Sequence, residues 1–280
     1  MNKNHIIDGR QIAELIKDEI TLNIFKDLPR RPSLAIILVG QRPDSEIYVA
    51  LKEREAKKVG IDTHLYRLEE NSSEDDLLGV INFLNNDPEV DAILLQLPLP
   101  DKFNADKMIA AINPSKDADG FHPEHPDYIL SPVIAAVDFI IHDYKVAGRA
   151  CVFYRSEVFG QSLRKHLENH GLLVDLLPVA ETEDPCHNRN LQQSFSEISR
   201  QADIVITALG LPEFLNQTYL KNGAVVVDVG ITKVGDKVVG DVDFAGVLPV
   251  AAAITPVPGG IGPMTIAFLF KNVWEIYRRR

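Results

Sequence analysis

Apolar residues recur at helical spacing from about residue 10 to 27, and the stretch "PSLAIILVG", Pro32 to Gly40, is then almost continuously apolar and closes on glycine. The first pattern is that of an amphipathic helix, the second that of a strand buried on both faces of a parallel sheet. The alternation continues with a helix from about Ser45 to Val59 that ends at Gly60, a strand at Thr63 to Leu68, a helix at about Glu74 to Asn86 and a buried strand in "VDAILLQLPLP". After a helix at about Val133 to Tyr144 the pattern restarts. "ACVFY", "LLVDLLPV", "ADIVITALG" and "GAVVVDVG" read as strands, with helices at Gln161 to His170 and Leu191 to Gln201 and a last one at about Pro263 to Tyr277. Residues Glu181 to Asn190 read as a loop. Strands alternating with helices predict an α/β protein with parallel sheets, the second half Rossmann-like.

At 280 residues, 45% hydrophobic and 25% charged, the chain has length and composition for two modest domains with real cores. A net charge of −11 argues against nucleic acid or an anionic membrane as a partner. No apolar run approaches the roughly 18–20 residues of a membrane span. The opening "MNKNHIIDGRQ" lacks a secretory apolar segment, so the expected location is cytoplasmic. Cys151 and Cys186 are expected as reduced thiols.

Four places carry candidate chemistry. Tyr48 and Lys52 stand four apart, hence on one helix face; a lysine whose pKa is lowered by burial or a neighbouring cation can move protons, although a solvated lysine on a charged helix is the plainer reading. Gln96 sits at the carboxyl end of a buried strand, where open α/β sheets bind ligands; backbone contacts in the loop would equally satisfy it. Asp119 before Gly120 presents a carboxylate from a turn, or merely makes the turn. The loop "ITPVPGGIGPMT", Ile254 to Thr265, is more specific, because three prolines and three glycines fix an unusual backbone and allow a ligand close approach to the main chain.

Together "YVALK", "LLQLPLP", "KDADGFHP", "GAVVVDVGI", "GDVDF" and "TPVPGGIGPMT" resemble the bifunctional methylenetetrahydrofolate dehydrogenase/methenyltetrahydrofolate cyclohydrolase family, in the family's order and over nearly the whole chain. The resemblance implies two α/β domains with a cleft between them. The folate-binding catalytic domain would comprise residues 1–121 plus 264–280, and the Rossmann-like NAD(P)-binding domain residues 122–263. It implies that Lys52 handles the proton, that Tyr48 lines the folate site, that Gln96 engages the lysine and that Asp119 grips the pterin. Leu97, Pro98, Pro258, Gly259 and Gly260 would complete the substrate site. Arg155, Ser156, Gly160, Val229, Ile231 and Thr265 would face NADP, with NAD as the alternative, and tetrahydrofolate would be the substrate. Family members are commonly homodimers, and residues 222–230 are the expected subunit contact.

Two segments depart from the family pattern. In "RACVFYRSEVFGQSL" Tyr154 stands where the family has a glycine and Ser162 where it has a proline, so a ring either crowds the cofactor's approach or stacks on it. Upstream, "FHPEHPDYILSPVIAAVDF" lacks the family's cysteine, threonine and glycine near the nicotinamide. The folate-side motifs are intact. Three readings therefore stay open: a bifunctional enzyme with weakened or altered dehydrogenase activity, a cyclohydrolase alone, and a non-catalytic folate-binding protein. An NAD-linked amino-acid or shikimate-type dehydrogenase would leave the glycine loop unexplained. His122, His125, Cys186 and His187 do not match a strong metal spacing, and no metal is expected.

Overall fold

The computed structural model describes residues 5–26, 30–180 and 188–280. They divide into two compact units, one of residues 13–132 and 266–280, the other of residues 1–12 and 133–265.

In the unit that contains Lys52, β1 (Ser33–Val39), β2 (Asp62–Leu68) and β3 (Ala92–Leu95) form a parallel sheet of order β2-β1-β3. Every residue of β1 is buried, as its unbroken apolar run requires. Pro43 opens helix α2 (Pro43–Val59), and Gly60 closes it at φ +87°, with its N–H bonded to Ala56 O. Helix α3 (Glu74–Asn86) starts from a reciprocal cap between Ser73 and Asp76. Its Leu77, Ile81 and Leu84 are fully buried and pack with Ile37, Ile93 and Leu95. Beyond β3 the segment 116–118 continues the sheet, Ile93 N donating to Lys116 O at 2.7 Å and Ala118 N to Ile93 O at 3.0 Å. A short helix α4 (Ala105–Ala110), which the apolar pattern did not announce, precedes it.

In the other unit α5 (Pro132–Tyr144) leads from the boundary into β4 (Arg149–Tyr154), α6 (Glu157–Asn169), β5 (Leu173–Pro178), α7 (Arg189–Ser199), β6 (Ile204–Ala208) and β7 (Val225–Asp228). After β7, the pair β8 (Thr232–Val234) and β9 (Lys237–Val239) makes an antiparallel hairpin, and α8 (Phe244–Val247) leads to β10 (Ala253–Ile254). The five-stranded sheet has order β10-β7-β6-β4-β5 and is parallel throughout. This is a doubly wound sheet whose winding reverses between β4 and β6. Phe153 lies at its centre, fully buried, with Phe195, Phe214 and Tyr219 edge-on around it.

Helices α1 (Gly9–Lys26) and α9 (Ile261–Tyr277) each begin in one unit and end in the other. Residues 5–12 pair with the five-stranded sheet, Ile6 bridging Ile254 and Ile7 N donating to Ile254 O at 2.8 Å. Of the loop expected at Glu181 to Asn190, residues 181–187 lie outside the described residues, and with them Cys186 and His187. Asn188 caps α7, its side chain accepting from Leu191 N. Cys151 is a buried free thiol, and burial pushes its pKa up. No helix among the described residues is long and apolar enough to cross a membrane.

Candidate functional site

The β2-β1-β3 sheet reverses its winding between β1 and β3, and the carboxyl ends of those two strands are where an open sheet leaves a crevice. Gln96 is the first residue past β3. Its backbone N–H still bonds to Ile37 O of β1 at 2.9 Å, which fixes the side chain at the strand end. Its Oε1 accepts from Lys52 Nζ at 2.9 Å, and its Nε2 donates to Leu97 O at 2.6 Å. The amide is thus oriented, and it presents its oxygen to the lysine. Lys52 is half-buried on α2, and burial pulls its pKa below the ordinary lysine value, against the opposing charge of Asp119. Tyr48, one turn earlier on α2, is exposed at 39%. Leu97 is half-buried and Pro98 exposed beside the same strand end.

Asp119 arrives from the strand-like segment 116–118. Burial pushes its carboxyl up to about 6; the lysine's charge works in the other direction, and Asp117 adds to the rise. Asp117 is buried and spends both oxygens on the backbone, accepting from Asp119 N at 3.1 Å and His122 N at 2.8 Å. Gly120 is needed on two counts: its φ is +65°, and a Cβ there would sit 2.9 Å from Ser131 N. Asn272 of α9, which the sequence reading passed over, holds this turn from below. Its Nδ2 donates to Ala118 O and Leu130 O, each at 2.9 Å. The available signal was one amide in the largely apolar run "IAFLFKNVW".

His122 is a structural histidine. Its Nδ1 accepts from Glu124 N at 2.9 Å, so its Nε2 carries the proton and donates to Ala110 O at 3.2 Å. His125 spends its Nδ1 on Pro126 O at 3.1 Å.

The remaining expected residues belong to the five-stranded unit and gather at the carboxyl ends of its strands. Arg155 and Ser156 follow β4 at the winding reversal. Ser156 caps α6, accepting from Phe159 N at 3.4 Å, and Arg155 Nε is buried with no hydrogen-bond partner. Val229 and Ile231 follow β7, Val229 N still bonding to Thr207 O of β6 at 2.8 Å. Ile231 is exposed at 47% and reaches toward Gly262. Thr265 hydroxyl closes the first turn of α9 on Gly262 O at 2.7 Å. Pro258, Gly259 and Gly260 follow β10. Gly259 has φ +113°, and Gly260 has no room for a Cβ, which would meet Pro256 O at 2.6 Å.

Tyr154 departs from one of the two roles expected of it, the stacking face. It is 3% exposed, its ring lies flat against Gly160, and its hydroxyl donates to Glu157 Oε2 at 3.0 Å. The ring fills the seam between β4 and the first turn of α6. At 3% exposure it offers no face for stacking on a ligand.

Comparison with known proteins places the whole chain in one family. Residues 7–119 match the family model described as tetrahydrofolate dehydrogenase/cyclohydrolase, catalytic domain, and residues 134–280 match the NAD(P)-binding domain of the same family. The bifunctional protein FolD of Acetivibrio thermocellus is 38% identical over 281 residues, covering 95% of this chain and 94% of the relative. Among solved structures, the bifunctional enzyme FolD of Campylobacter jejuni superposes with a TM-score of 0.89 at 36% identity, covering 98% of this chain and 99% of that one. The Trypanosoma brucei enzyme, solved with NADP cofactor and an inhibitor, gives 0.89 at 31% identity over 100% and 99% of the two chains. Two domain models matched in order, with likeness running end to end, establish that the chain belongs to the tetrahydrofolate dehydrogenase/cyclohydrolase family.

Proposed function

We propose that the protein interconverts 5,10-methylene-, 5,10-methenyl- and 10-formyltetrahydrofolate as a bifunctional dehydrogenase and cyclohydrolase. The observation that carries this reading is the Lys52–Gln96 pair, 2.9 Å apart, with the lysine held toward its neutral form by burial. One N–H of the amine is given to Gln96 Oε1, which directs the nitrogen and leaves its lone pair able to accept a proton. When water attacks the cationic methenyl carbon, the attacking oxygen becomes acidic and must lose a proton. A neutral Lys52 takes it, and the cationic substrate itself favours that neutral form. Asp119 in its ionised form accepts hydrogen bonds from the pterin edge, and Tyr48, Leu97 and Pro98 line the approach. Pro258, Gly259 and Gly260 contribute the glycine loop's part of the folate contact.

The residues at the sheet reversal fit NADP. A buried Arg155 Nε without a partner and the N-terminus of the 13-residue α6 both suit a phosphate group. Arg155, Ser156 and Gly160 would hold the phosphate side, and Val229, Ile231 and Thr265 the remainder. NADP, when bound, accepts the hydride from the methylene carbon. Family likeness and the buried position of Tyr154 together favour retention of the dehydrogenase step over a cyclohydrolase alone. The protein acts in the cytoplasm as a homodimer, with residues 222–230 in the contact, and binds neither nucleic acid nor membrane.

The test is methenyl hydrolysis alongside reduction of NADP and of NAD with 5,10-methylenetetrahydrofolate, for wild type and Lys52→Met. Hydrolysis is expected to fall by about 10²–10⁴-fold in the variant, the range of a lost general base. Hydrolysis retained within tenfold overturns the role of Lys52; hydrolysis without reduction of either nucleotide by the wild type leaves a cyclohydrolase alone.

A further inference from the structure

His122 and His125, weighed as metal ligands in the sequence, are held by the backbone, but another set converges elsewhere. On α5, Asp138 and His142 are four apart; on α6, His166 and its capping residue His170 are four apart, so each pair shares a helix face. The two faces meet. His166 Nε2 lies 2.7 Å from Asp138 Oδ1, His170 Nε2 lies 3.5 Å from the same oxygen, and the three ligand atoms are all within 4.8 Å of one another. His142 stands at the rim, its ring edge-on to His170 at 5.2 Å.

We propose that Asp138, His166 and His170 form a binding site for a divalent cation of the zinc class, with water completing the coordination. Three observations carry it. The first is spacing: a tetrahedral site with bonds of about 2.0–2.1 Å has edges of about 3.3 Å, close to the 3.5 Å between His170 Nε2 and Asp138 Oδ1, while the 2.7 Å hydrogen bond from His166 Nε2 to the same oxygen would open to it as the cation replaces the proton. The second is orientation. His170 Nδ1 donates to His166 O at 2.9 Å, so in its neutral form the lone pair is on Nε2, the atom that faces the carboxylate. In that form a nitrogen lone pair and a carboxylate oxygen face each other across 3.5 Å, a gap that a cation fills in place of a proton on Nε2. The third is field: His142 lies in the last turn of α5, and His166 in that of α6, where helix dipoles favour positive charge. Two imidazoles and one carboxylate suit zinc, cobalt or nickel better than magnesium or calcium.

The site stands apart from the nucleotide-binding end. Helix α6 starts at the carboxyl end of β4 and runs about 15 Å from Ser156 to His166, toward the opposite edge of the sheet. A cation there would staple α5 to α6 without touching substrate, so its expected effect is on stability.

The experiment uses the untagged full chain, stripped with a chelator, and titrates Zn²⁺ against a chromophoric competitor with Co²⁺ absorption as a second readout. One equivalent is expected at a Kd of about 10 μM or tighter, with the unfolding temperature raised by about 5 °C or more at a hundredfold excess over Kd. His166→Gln and His170→Gln should each weaken binding at least tenfold. The second replaces a helix-capping, partly exposed side chain and keeps the test open if the first fails to fold. A wild type that binds no tighter than about 1 mM, or His166→Gln and His170→Gln variants that bind as the wild type does, would overturn the proposal.

Discussion

Gly160→Ala offers a direct measure of where the Tyr154 ring lies. A Cβ added at Gly160 would stand 2.6 Å from Cδ2 and Cε2 and 2.8 Å from Cγ of the ring. Carbon atoms in contact prefer about 3.5–4.0 Å, so relief needs a shift of roughly 1 Å. Little can give. The ring is 3% exposed, its hydroxyl is tied to Glu157, and its strand is paired on both sides, to β5 and β6. Overpacking of this kind costs about 1–3 kcal/mol. At about 2–4 °C per kcal/mol for a chain of this size, a 2 kcal/mol loss lowers Tm by about 4–8 °C. Tyr154→Gly alone leaves a cavity and costs about 3–5 kcal/mol. In the double variant the added methyl meets no ring, so Gly160→Ala becomes neutral or mildly stabilising, a coupling of about 1–3 kcal/mol. Urea and thermal unfolding of the four proteins measure the cycle, and NADP titration of the same proteins follows the site. Additive losses, with Gly160→Ala costing the same with and without the ring, would refute the packing argument. Tighter NADP binding by Tyr154→Gly would show that the ring obstructs the cofactor after all.

Gln96→Glu places a negative charge against Lys52 Nζ and favours the ammonium form; the alkaline shift of the hydrolysis pH profile is expected to reach one unit or more, a tenfold rate loss at fixed neutral pH. Asp119 titrates at about 6, above its ordinary value of 3.8, so it is ionised above that pH and neutral below it. The KM for the methenyl substrate should therefore rise as pH falls through 6, and Asp119→Asn should remove that dependence. The same shift acts on stability in the opposite sense: between about pH 4 and 6 the folded chain keeps a proton that the unfolded chain has released, so this group's contribution weakens as pH rises. Asn272→Leu strips the donor from two backbone carbonyls under the Asp119 turn and should cost about 2–4 kcal/mol in urea unfolding. Its KM for folate should rise more than its kcat falls.

Strands β1, β3, β4, β6 and β7 were legible because each is a short, mainly apolar run, and burial on both faces produces that pattern. The hairpin of β8 and β9 was not, because its residues are largely exposed and carry no period. The Lys52–Gln96 contact was anticipated by the resemblance and by Gln96's place at a strand end, but the desolvation that lowers the lysine needed the fold. Tyr154 shows the opposite limit: aligned against a glycine it reads as an obstruction or a stacking face, and its burial beneath α6, which removes the stacking face, needed the fold. Asp138, His142, His166 and His170 stayed invisible because two i,i+4 pairs nearly 30 residues apart become one cluster only when α5 packs on α6.

The crossing of α1 and α9 between the units bears on the order in which the protein is made. The unit holding Lys52 includes residues 266–280, with Phe270 and Val273 fully buried in it, whereas the five-stranded unit has all its residues by 265. During synthesis the later-encoded unit is thus the first to own its complete sequence, and the amino-terminal sheet waits for the last fifteen residues. Truncation after residue 265 should therefore cost the Lys52 unit buried Phe270 and Val273 and the Asn272 bonds to Ala118 and Leu130, while leaving the other sheet able to form.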